Sequence, residues 1–243
     1  MFHKLIKTKP LLGVFSVVLA FNAITLFSTP TQAETVKIKS DKQSKVSSNN
    51  GLPFHRRDGG TRSSCGTKAQ DFVALIPATA VNLTASSNPK LYFHVPQTNQ
   101  SQTIEFVLRD RDDRLVHEAF IETEAQGGIM NIEIPLPHNY NKSLESDSNY
   151  RWYLSYICNN QKRSQDIVLE GWIQQQKLSQ EKQAQIANYS LHEQVSYYQK
   201  SGLWHDAIAT AAQHHEFSSD SARWSEFLSN IGLDEFAERP LIN

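Results

Sequence analysis

The sequence predicts a mainly β protein with a helical C-terminus: an immunoglobulin-like antiparallel β-sandwich followed by a helical hairpin or three-helix module. Three observations lead to this fold class. Short apolar runs separated by turn residues recur through residues 71–173. No segment with a helical period interrupts them, which favours a sandwich over a parallel α/β sheet. Beyond Gln174 the apolar residues take up helical spacing.

The longest predicted strands form a hairpin in the middle of the chain. Residues 150–158 are rich in aromatic and β-branched side chains, and residues 166–173 follow after a polar loop. Trp152 and Tyr153 are adjacent, and successive side chains in a strand point to opposite sides. We therefore expect both faces of this hairpin to be covered by other parts of the protein.

Five more strands are predicted before the hairpin, because each is a β-rich run that stops at a proline, a glycine or a cluster of charges. They cover residues 72–76, 91–95, 103–108, 115–121 and 129–134. An eighth strand is expected if residues 80–84 pair with a neighbour.

Three helices are predicted after the hairpin. The first lies in residues 176–201 and stops at Gly202; the second begins at Trp204, and the third ends at Gly232. Residues 198–208 are similar to the helical junction of a tetratricopeptide repeat, but one such junction cannot bury its own apolar side. We expect the helices to pack on an outer face of the sandwich, which the hairpin offers, through Tyr189, Tyr198 and Trp204.

The N-terminus predicts export. Three lysines precede an uncharged apolar run at residues 11–27, and small residues end at Ala33, so residues 1–33 are interpreted as a signal peptide cleaved after Ala33. The alternative is an uncleaved anchor, but the run is shorter than a typical membrane span. The sequence thus predicts a periplasmic or secreted protein with a disordered linker at 34–50, a β-sandwich domain at 51–175 and a helical module at 176–243 packed on the sandwich.

Charge is distributed unevenly along the chain. Residues 34–64 carry a net charge of +4, whereas residues 65–175 and 176–243 each carry −4. The basic arm, which includes Arg56 to Arg62, could bind an anionic surface or lie on its own acidic domain. We favour the second interpretation because the charge is modest. Glycines 59 and 60 could form an anion-binding nest, but a turn explains them more simply.

The protein has two cysteines, Cys65 and Cys158. In an oxidising compartment two thiols usually pair, so we predict a structural disulfide that joins the basic arm to the end of the first hairpin strand. A reactive thiol is disfavoured because the sequence has no C-x-x-C motif and no flanking basic cluster.

Several polar residues and clusters are candidates for catalytic or metal-binding sites. Asp110, Asp112 and Asp113 lack the glycine and glutamate of a calcium loop and predict a turn. The adjacent His214 and His215 would point about 100° apart on a helix, so they cannot share a metal. We interpret His117 and His205 as partly buried structural histidines. No serine-nucleophile motif occurs.

Glu170 is the charged residue placed between apolar neighbours, Val168 and Trp172. If that face is covered, its carboxylate needs a partner or a shifted pKa. We expect pairing with an arginine; the alternative is a catalytic acid. The sequence therefore predicts no catalytic, cofactor-binding or metal-binding residues, and no cofactor.

Four segments together resemble the cyanobacterial family called domain of unknown function 928, over residues 51–240. They are residues 56–62 before Cys65, residues 91–96, residues 150–158, and residues 170–173 with 202–207. The resemblance implies an exported protein and transfers no catalytic residue. We expect a non-catalytic binding or scaffolding module for an envelope protein or a glycan, with no nucleic-acid partner and no membrane span after cleavage. The alternative is an envelope hydrolase whose site forms only in three dimensions.

Overall fold

A computed structural model describes residues 55–57, 71–78, 82–134, 144, 147–217 and 221–242, all within one compact unit, Lys42–Asn243. Within these ranges, eight strands precede four α-helices. The strands are β1 (Val73–Ala74), β2 (Asn82–Thr84), β3 (Lys90–Val95), β4 (Thr103–Arg109), β5 (Leu115–Glu122), β6 (Gly128–Glu133), β7 (Asn149–Tyr156) and β8 (Ile167–Gln175). The helices are α1 (Gln180–Ala187), α2 (Leu191–Lys200), α3 (Trp204–Phe217) and α4 (Ser221–Asn230).

The strands form two sheets, one with the order β1-β3-β6 and one with the order β2-β8-β7-β4-β5. Alternate residues of β4 and β7 are buried, which is the pattern of strands with one face on a core. Their buried side chains join those of β3 in one apolar cluster. Phe93 of the first sheet meets Trp152 of the second edge-on, with ring centroids 5.7 Å apart. The two sheets therefore enclose a common core.

The seven predicted strands are confirmed, and so is the eighth. The first is shorter than predicted, because only Val73–Ala74 pairs with β3. The expectation of a wholly antiparallel sandwich is wrong at β2, which pairs in parallel with β8 through Asn82 opposite Ile173. Strand β2 can run parallel to β8 because strands β3 to β7 lie between them in the chain, which gives the long connection that parallel strands need.

Residues 176–201 form two helices and not the single predicted one, so the described part of the chain has four α-helices where three were predicted. The break lies at Ser190. Its side chain accepts a hydrogen bond from the Glu193 N–H, and the Glu193 carboxylate accepts one from the Ser190 N–H at 2.8 Å. This capping box starts α2 and ends α1 a few residues earlier. The predicted stops are confirmed, since Gly202 and Gly232 have φ of 74° and 66°.

The helices pack on the outer side of the three-stranded sheet. Their cluster combines Val73, Tyr92 and Ile129 of the strands with Ile208 of α3, Trp224 of α4 and their neighbours. The expectation that the hairpin would receive the helices is therefore wrong. The two-sided strand is β3, where five consecutive residues are buried, whereas the hairpin's outer positions are half-buried or, at Val168, exposed.

Of the three aromatic residues predicted to make this contact, Tyr198 and Trp204 pack against the helix–sheet cluster. Tyr189 lies instead near Tyr197, with ring centroids 6.4 Å apart. The domain boundaries at residues 33, 50 and 175 stay predictions. In the described part of the chain, no helix has the length and apolarity needed to cross a membrane.

Candidate functional site

The outer side of the five-stranded sheet, here called the open sheet face, is the first candidate site. Strand register puts Arg151 opposite Trp172, and Tyr153 opposite both Glu170 and Val107. Since β4, β7 and β8 bury their other side in the core, these residues must point outward. The outward residues are Val168, Glu170 and Trp172 of β8, Arg151, Tyr153 and Ser155 of β7, Glu105, Val107 and Arg109 of β4, and Leu115, Glu118 and Phe120 of β5.

Apolar side chains are exposed on this face. Among the described residues, the large hydrophobic side chains that are exposed are Leu115, Phe120, Val168 and Phe217, at 55, 59, 39 and 81%. The first three lie on the open sheet face, and Phe217 lies at the end of α3. Exposed apolar residues gathered on one face are a feature of binding surfaces.

Glu170 lies on β8, with 13% of its side chain exposed. Arg151 Nη2 donates a hydrogen bond to Glu170 Oε2, and His55 Nδ1 lies 2.8 Å from Glu170 Oε1. Two backbone hydrogen bonds of 3.1 and 3.2 Å also join His55 to Glu170. The predicted pairing of Glu170 with an arginine is confirmed, and the basic arm reaches this carboxylate through His55.

The Arg151 guanidinium also covers two aromatic rings. Its central carbon lies 4.8 Å from the ring centroid of Tyr153 and 5.6 Å from that of Trp172. Cation–π contacts of this kind hold the arginine and both rings in one arrangement. Strands β7 and β8 thus carry a preorganised cluster of an arginine, a glutamate and two aromatic side chains on the open sheet face.

The basic arm lies on its own domain at Arg56 and Arg57. Arg56 Nη1 donates to the carbonyl oxygens of Ile76 and Ile231, at 3.0 and 2.9 Å, and burial lowers the pKa of this guanidinium. Arg57 forms an ion pair with Glu235. These contacts agree with the interpretation that the arm lies on its acidic domain. The predicted glycine turn and Cys65 fall outside the described residues, so the disulfide with Cys158 stays a prediction.

A second candidate site is a cleft of about 600 Å³ around His94, between the arm and the C-terminal turn. His94 Nδ1 donates to the Asp71 carbonyl oxygen at 2.5 Å, which leaves Nε2 with the lone pair. Burial lowers the pKa of His94, and the charges of Arg239 and Arg57 lower it further. The His94 ring lies 4.4 Å from that of Phe236. This arrangement holds a neutral imidazole in one tautomer.

Sequence reasoning missed His94, although a signal was present. Strand alternation puts Phe93 and Val95 into the sandwich core, so His94 between them must face the other side. Its partner is a backbone carbonyl, however, and no residue pattern marks such a partner in advance.

The other predicted clusters form no site. Asp110 accepts hydrogen bonds from the N–H groups of Asp112 and Arg114, both at 2.9 Å, which confirms the predicted turn. The His215 ring stacks on Trp224, with ring centroids 5.6 Å apart. His117 is half-buried as predicted, and burial lowers its pKa, whereas His205 is fully buried. In the ranges that the structure describes, no three His, Cys, Asp or Glu residues are grouped to hold a metal ion.

Comparison with known proteins gave one family. The model of the family described as Domain of Unknown Function (DUF928) matches residues 57–241 of this chain. The match includes Arg57, His94, both hairpin strands and all four helices. No curated protein matches the sequence.

Proposed function

The chain belongs to the DUF928 family, and we propose that it is a non-catalytic binding module for another protein of the cell envelope, which it contacts through the open sheet face. The single observation that carries the proposal is the composition of that face. Three exposed apolar side chains share this face with a preorganised cluster of Arg151, Glu170, Tyr153 and Trp172. Aromatic residues and arginine are enriched in protein interfaces.

A protein partner fits this surface better than a glycan. Sugar rings stack on open aromatic faces, but the Arg151 guanidinium already lies over Tyr153 and Trp172. The exposed Leu115 and Phe120 offer apolar area with which a protein side chain can exclude water.

We further propose that the two sheets form an immunoglobulin-like sandwich. The strand orders β1-β3-β6 and β2-β8-β7-β4-β5 support this assignment. They correspond to strands A-B-E in one sheet and to a second A segment followed by G-F-C-C′ in the other. In that correspondence the open sheet face is the outer side of the G-F-C-C′ sheet.

Export is part of the proposal. The basic start, the apolar run at residues 11–27 and Ala33 support cleavage of a signal peptide and release into the periplasm or medium. The two cysteines support the same compartment, since paired thiols persist where the environment is oxidising.

A hydrolase is the second candidate function, and the His94 cleft is the observation that favours it. His94 has a fixed tautomer, and its lowered pKa keeps the imidazole neutral at neutral pH, the state from which a general base accepts a proton. Around Glu170, by contrast, an arginine and an exposed histidine supply the structural pairing expected of a non-catalytic carboxylate.

The test is affinity capture from an envelope fraction with the mature protein, oxidised and reduced in parallel. Three baits are compared: the natural sequence, the double variant Phe120→Asp with Val168→Asp, and the control Phe217→Asp, which changes an exposed phenylalanine elsewhere. Loss of two interface anchors should weaken binding at least tenfold. We expect one protein to be retained by the natural and control baits and lost with the double variant.

Two results would contradict the proposal. One is the recovery of no protein under either redox condition. The other is equal recovery of the same protein on all three baits. If His94→Gln abolishes hydrolysis of an envelope polymer by the mature protein while Phe120→Asp leaves it intact, the hydrolase is the correct function.

A further inference from the structure

We propose that the protein partner binds by strand addition: an extended segment with basic residues pairs with the free edge of β5. The inference rests on the proposed function, because β5 carries Leu115 and Phe120 of the open sheet face. In the order β2-β8-β7-β4-β5, strand β5 lies at the edge and pairs with β4 alone. An edge strand presents a row of backbone N–H and C=O groups to which a further strand can bond.

The hydrogen-bond register shows which backbone groups of β5 point away from β4. The Thr123 N–H donates to the carbonyl oxygen of the opposite residue, Gln102, at 2.8 Å, so these two residues form a hydrogen-bonded pair. Such pairs alternate along an antiparallel ladder, so every second residue counted back from Thr123 directs its N–H and C=O to β4. The residues that direct theirs out of the sheet edge are Glu118, Phe120 and Glu122.

The neighbouring ladder gives the same alternation. The Ile157 N–H donates to the Thr103 carbonyl oxygen at 2.9 Å, so Thr103 directs its backbone groups to β7 and not to Glu122, its opposite residue on β5. Within the described ranges, the outward backbone groups of Glu118, Phe120 and Glu122 have no hydrogen-bond partner, and all three residues are exposed. Unpaired donors and acceptors are therefore available along this edge.

Each of the other three sheet edges is hydrogen-bonded to a further segment of the described chain. These bonds join Arg56 to Ala74 of β1, Pro240 to Ile129 of β6, and Gly202 to Leu83 of β2, at 2.9, 2.8 and 3.3 Å. Strand β5 has eight residues, which makes it the longest of the four edge strands. It also contains neither proline nor lysine, which proteins commonly place on edges that must not pair. The one long edge without a partner in the described chain is thus suited to strand addition.

The charge of β5 selects a basic segment. Glu118 and Glu122 lie on the same side of the strand, on either side of Phe120. No cation pairs with Glu118 in the described part of the chain, and Glu122 accepts the Thr103 hydroxyl at 2.7 Å. Side chains on neighbouring strands lie about 4.5–5.5 Å apart when directly opposite, and opposite charges stabilise the pair. The matching segment therefore has two lysines or arginines with the spacing of Glu118 and Glu122, and an apolar residue midway between them.

A second copy of this chain matches the edge less well. Strand β5 has two glutamates and no lysine or arginine, so two β5 strands side by side would gather four carboxylates in one ribbon. Like charges on neighbouring strands destabilise their pairing. The edge therefore favours a strand from a different, basic partner.

The experiment is amide hydrogen exchange, measured by NMR on the isotope-labelled mature protein with the peptide TKTVTKT (one-letter code), which has the required pattern. Without peptide, the amides of Glu118, Phe120 and Glu122 should exchange freely, whereas the amides that alternate with them are protected by β4. Saturating peptide should slow exchange of the three outward amides at least about tenfold. The peptide TETVTET reverses both charges and should bind at least about fivefold more weakly.

Two pairs of molecules separate backbone pairing from other contacts. Glu118→Pro removes one outward N–H without removing a bond to β4 and should weaken peptide binding at least about tenfold, whereas Glu118→Gln keeps that N–H and should weaken it about two- to fivefold. If Glu118→Pro fails to fold, methylated peptides replace it. N-methylation of the peptide valine blocks the amide that faces Phe120 and should weaken binding at least about tenfold, whereas N-methylation of the preceding threonine, whose amide points away, should have less than about a threefold effect.

Three results would overturn the proposal: no binding of TKTVTKT, binding that leaves the outward amides unprotected, or equal binding of TETVTET. Protection that rises with protein concentration without peptide would assign the edge to a second copy and would also overturn it. Failure of this proposal is distinguishable from failure of the proposed function. If a partner captured through the open sheet face leaves the outward amides unprotected, strand addition alone is wrong; if the peptides behave as expected but no partner is captured, the proposed function alone is wrong.

Discussion

Arg56 and Ile231 lie 175 positions apart in the chain, and the Arg56 guanidinium donates a hydrogen bond of 2.9 Å to the Ile231 carbonyl oxygen. The same nitrogen donates to Ile76, just after β1, at 3.0 Å. One arginine thereby joins the arm, the three-stranded sheet and the end of α4. It also supplies a partner for a helix-end carbonyl that has no donor within the helix.

This relationship predicts a large effect of Arg56 on stability. Arg56→Ala leaves two carbonyl groups without their charged donor and should lower the free energy of unfolding by about 2–3 kcal/mol. The matched control is Arg111→Ala, which changes an arginine with 76% of its side chain exposed and should alter stability by less than about 0.5 kcal/mol. Urea unfolding of the three proteins measures both values. Equal midpoints would show that the arm does not secure the helices.

Removal of the Glu170 carboxylate should also destabilise the protein. Glu170→Gln leaves the Arg151 guanidinium, which lies over two aromatic rings, without its ion-pair partner, and we expect a loss of about 1–3 kcal/mol. Glu118→Gln, on the exposed strand β5 of the same face, serves as the control. A double-mutant cycle with Arg151→Met isolates the pair. A coupling energy near zero would contradict the idea of a preorganised cluster.

His205 predicts a loss of stability in acid. Burial holds its folded-state pKa near 3, below the unfolded value of about 6.5, so between these values the unfolded chain binds the extra proton. This contribution is fully present above pH 6.5 and is lost as the pH falls toward 3, by up to about 1.4 kcal/mol per pH unit. Unfolding of the natural protein and of His205→Leu should be compared from pH 7 to 4. The free energy of unfolding of His205→Leu should fall less steeply with decreasing pH than that of the natural protein. Equal pH dependence of the two proteins would contradict the prediction.

Substitution of Gly171 and of Gly202 by alanine should destabilise the protein to different extents, for different reasons. A Cβ at Gly171 would lie 2.4 Å from Trp152 Cζ2 in the core, so Gly171→Ala must displace a buried ring and should cost at least about 2–3 kcal/mol. At Gly202 a Cβ finds only Leu83 at 3.8 Å, but φ is +74°, and Gly202→Ala should cost about 1 kcal/mol. Thermal unfolding of both variants shows which substitution is more destabilising. A larger loss of stability in Gly202→Ala than in Gly171→Ala would be inconsistent with the packing around Trp152.

The predicted disulfide has a direct test. Peptide mapping of the exported protein without reductant should yield one peptide pair containing Cys65 and Cys158. Since the bond would close a long loop, Cys158→Ala should lower stability by about 4 kcal/mol or less. Two separate alkylated cysteines in the untreated protein would refute the pairing.

The sequence alone determined the strands, the later helix stops and the Asp110 turn, because each follows from local spacing or turn chemistry. It also determined that Glu170 needs a cation. Only the tertiary structure decided which side of which strand is covered. Residues 91–95 are one short, mainly apolar run whether one or both of their faces are buried. The helices pack on the sheet that contains this strand because Val73, Tyr92 and Ile129 contribute apolar side chains to its outer side, while the outer residues of β7 include Arg151 and Ser155.

The sites depend on tertiary structure for a related reason. His94 lies in a strand that is predicted as core, and the ring it contacts across the cleft, Phe236, comes from more than a hundred positions later in the chain. Spacing along a chain carries information about groups on one element. It carries no information about which groups on different elements will be neighbours, because those groups come together only when the sheets and helices pack.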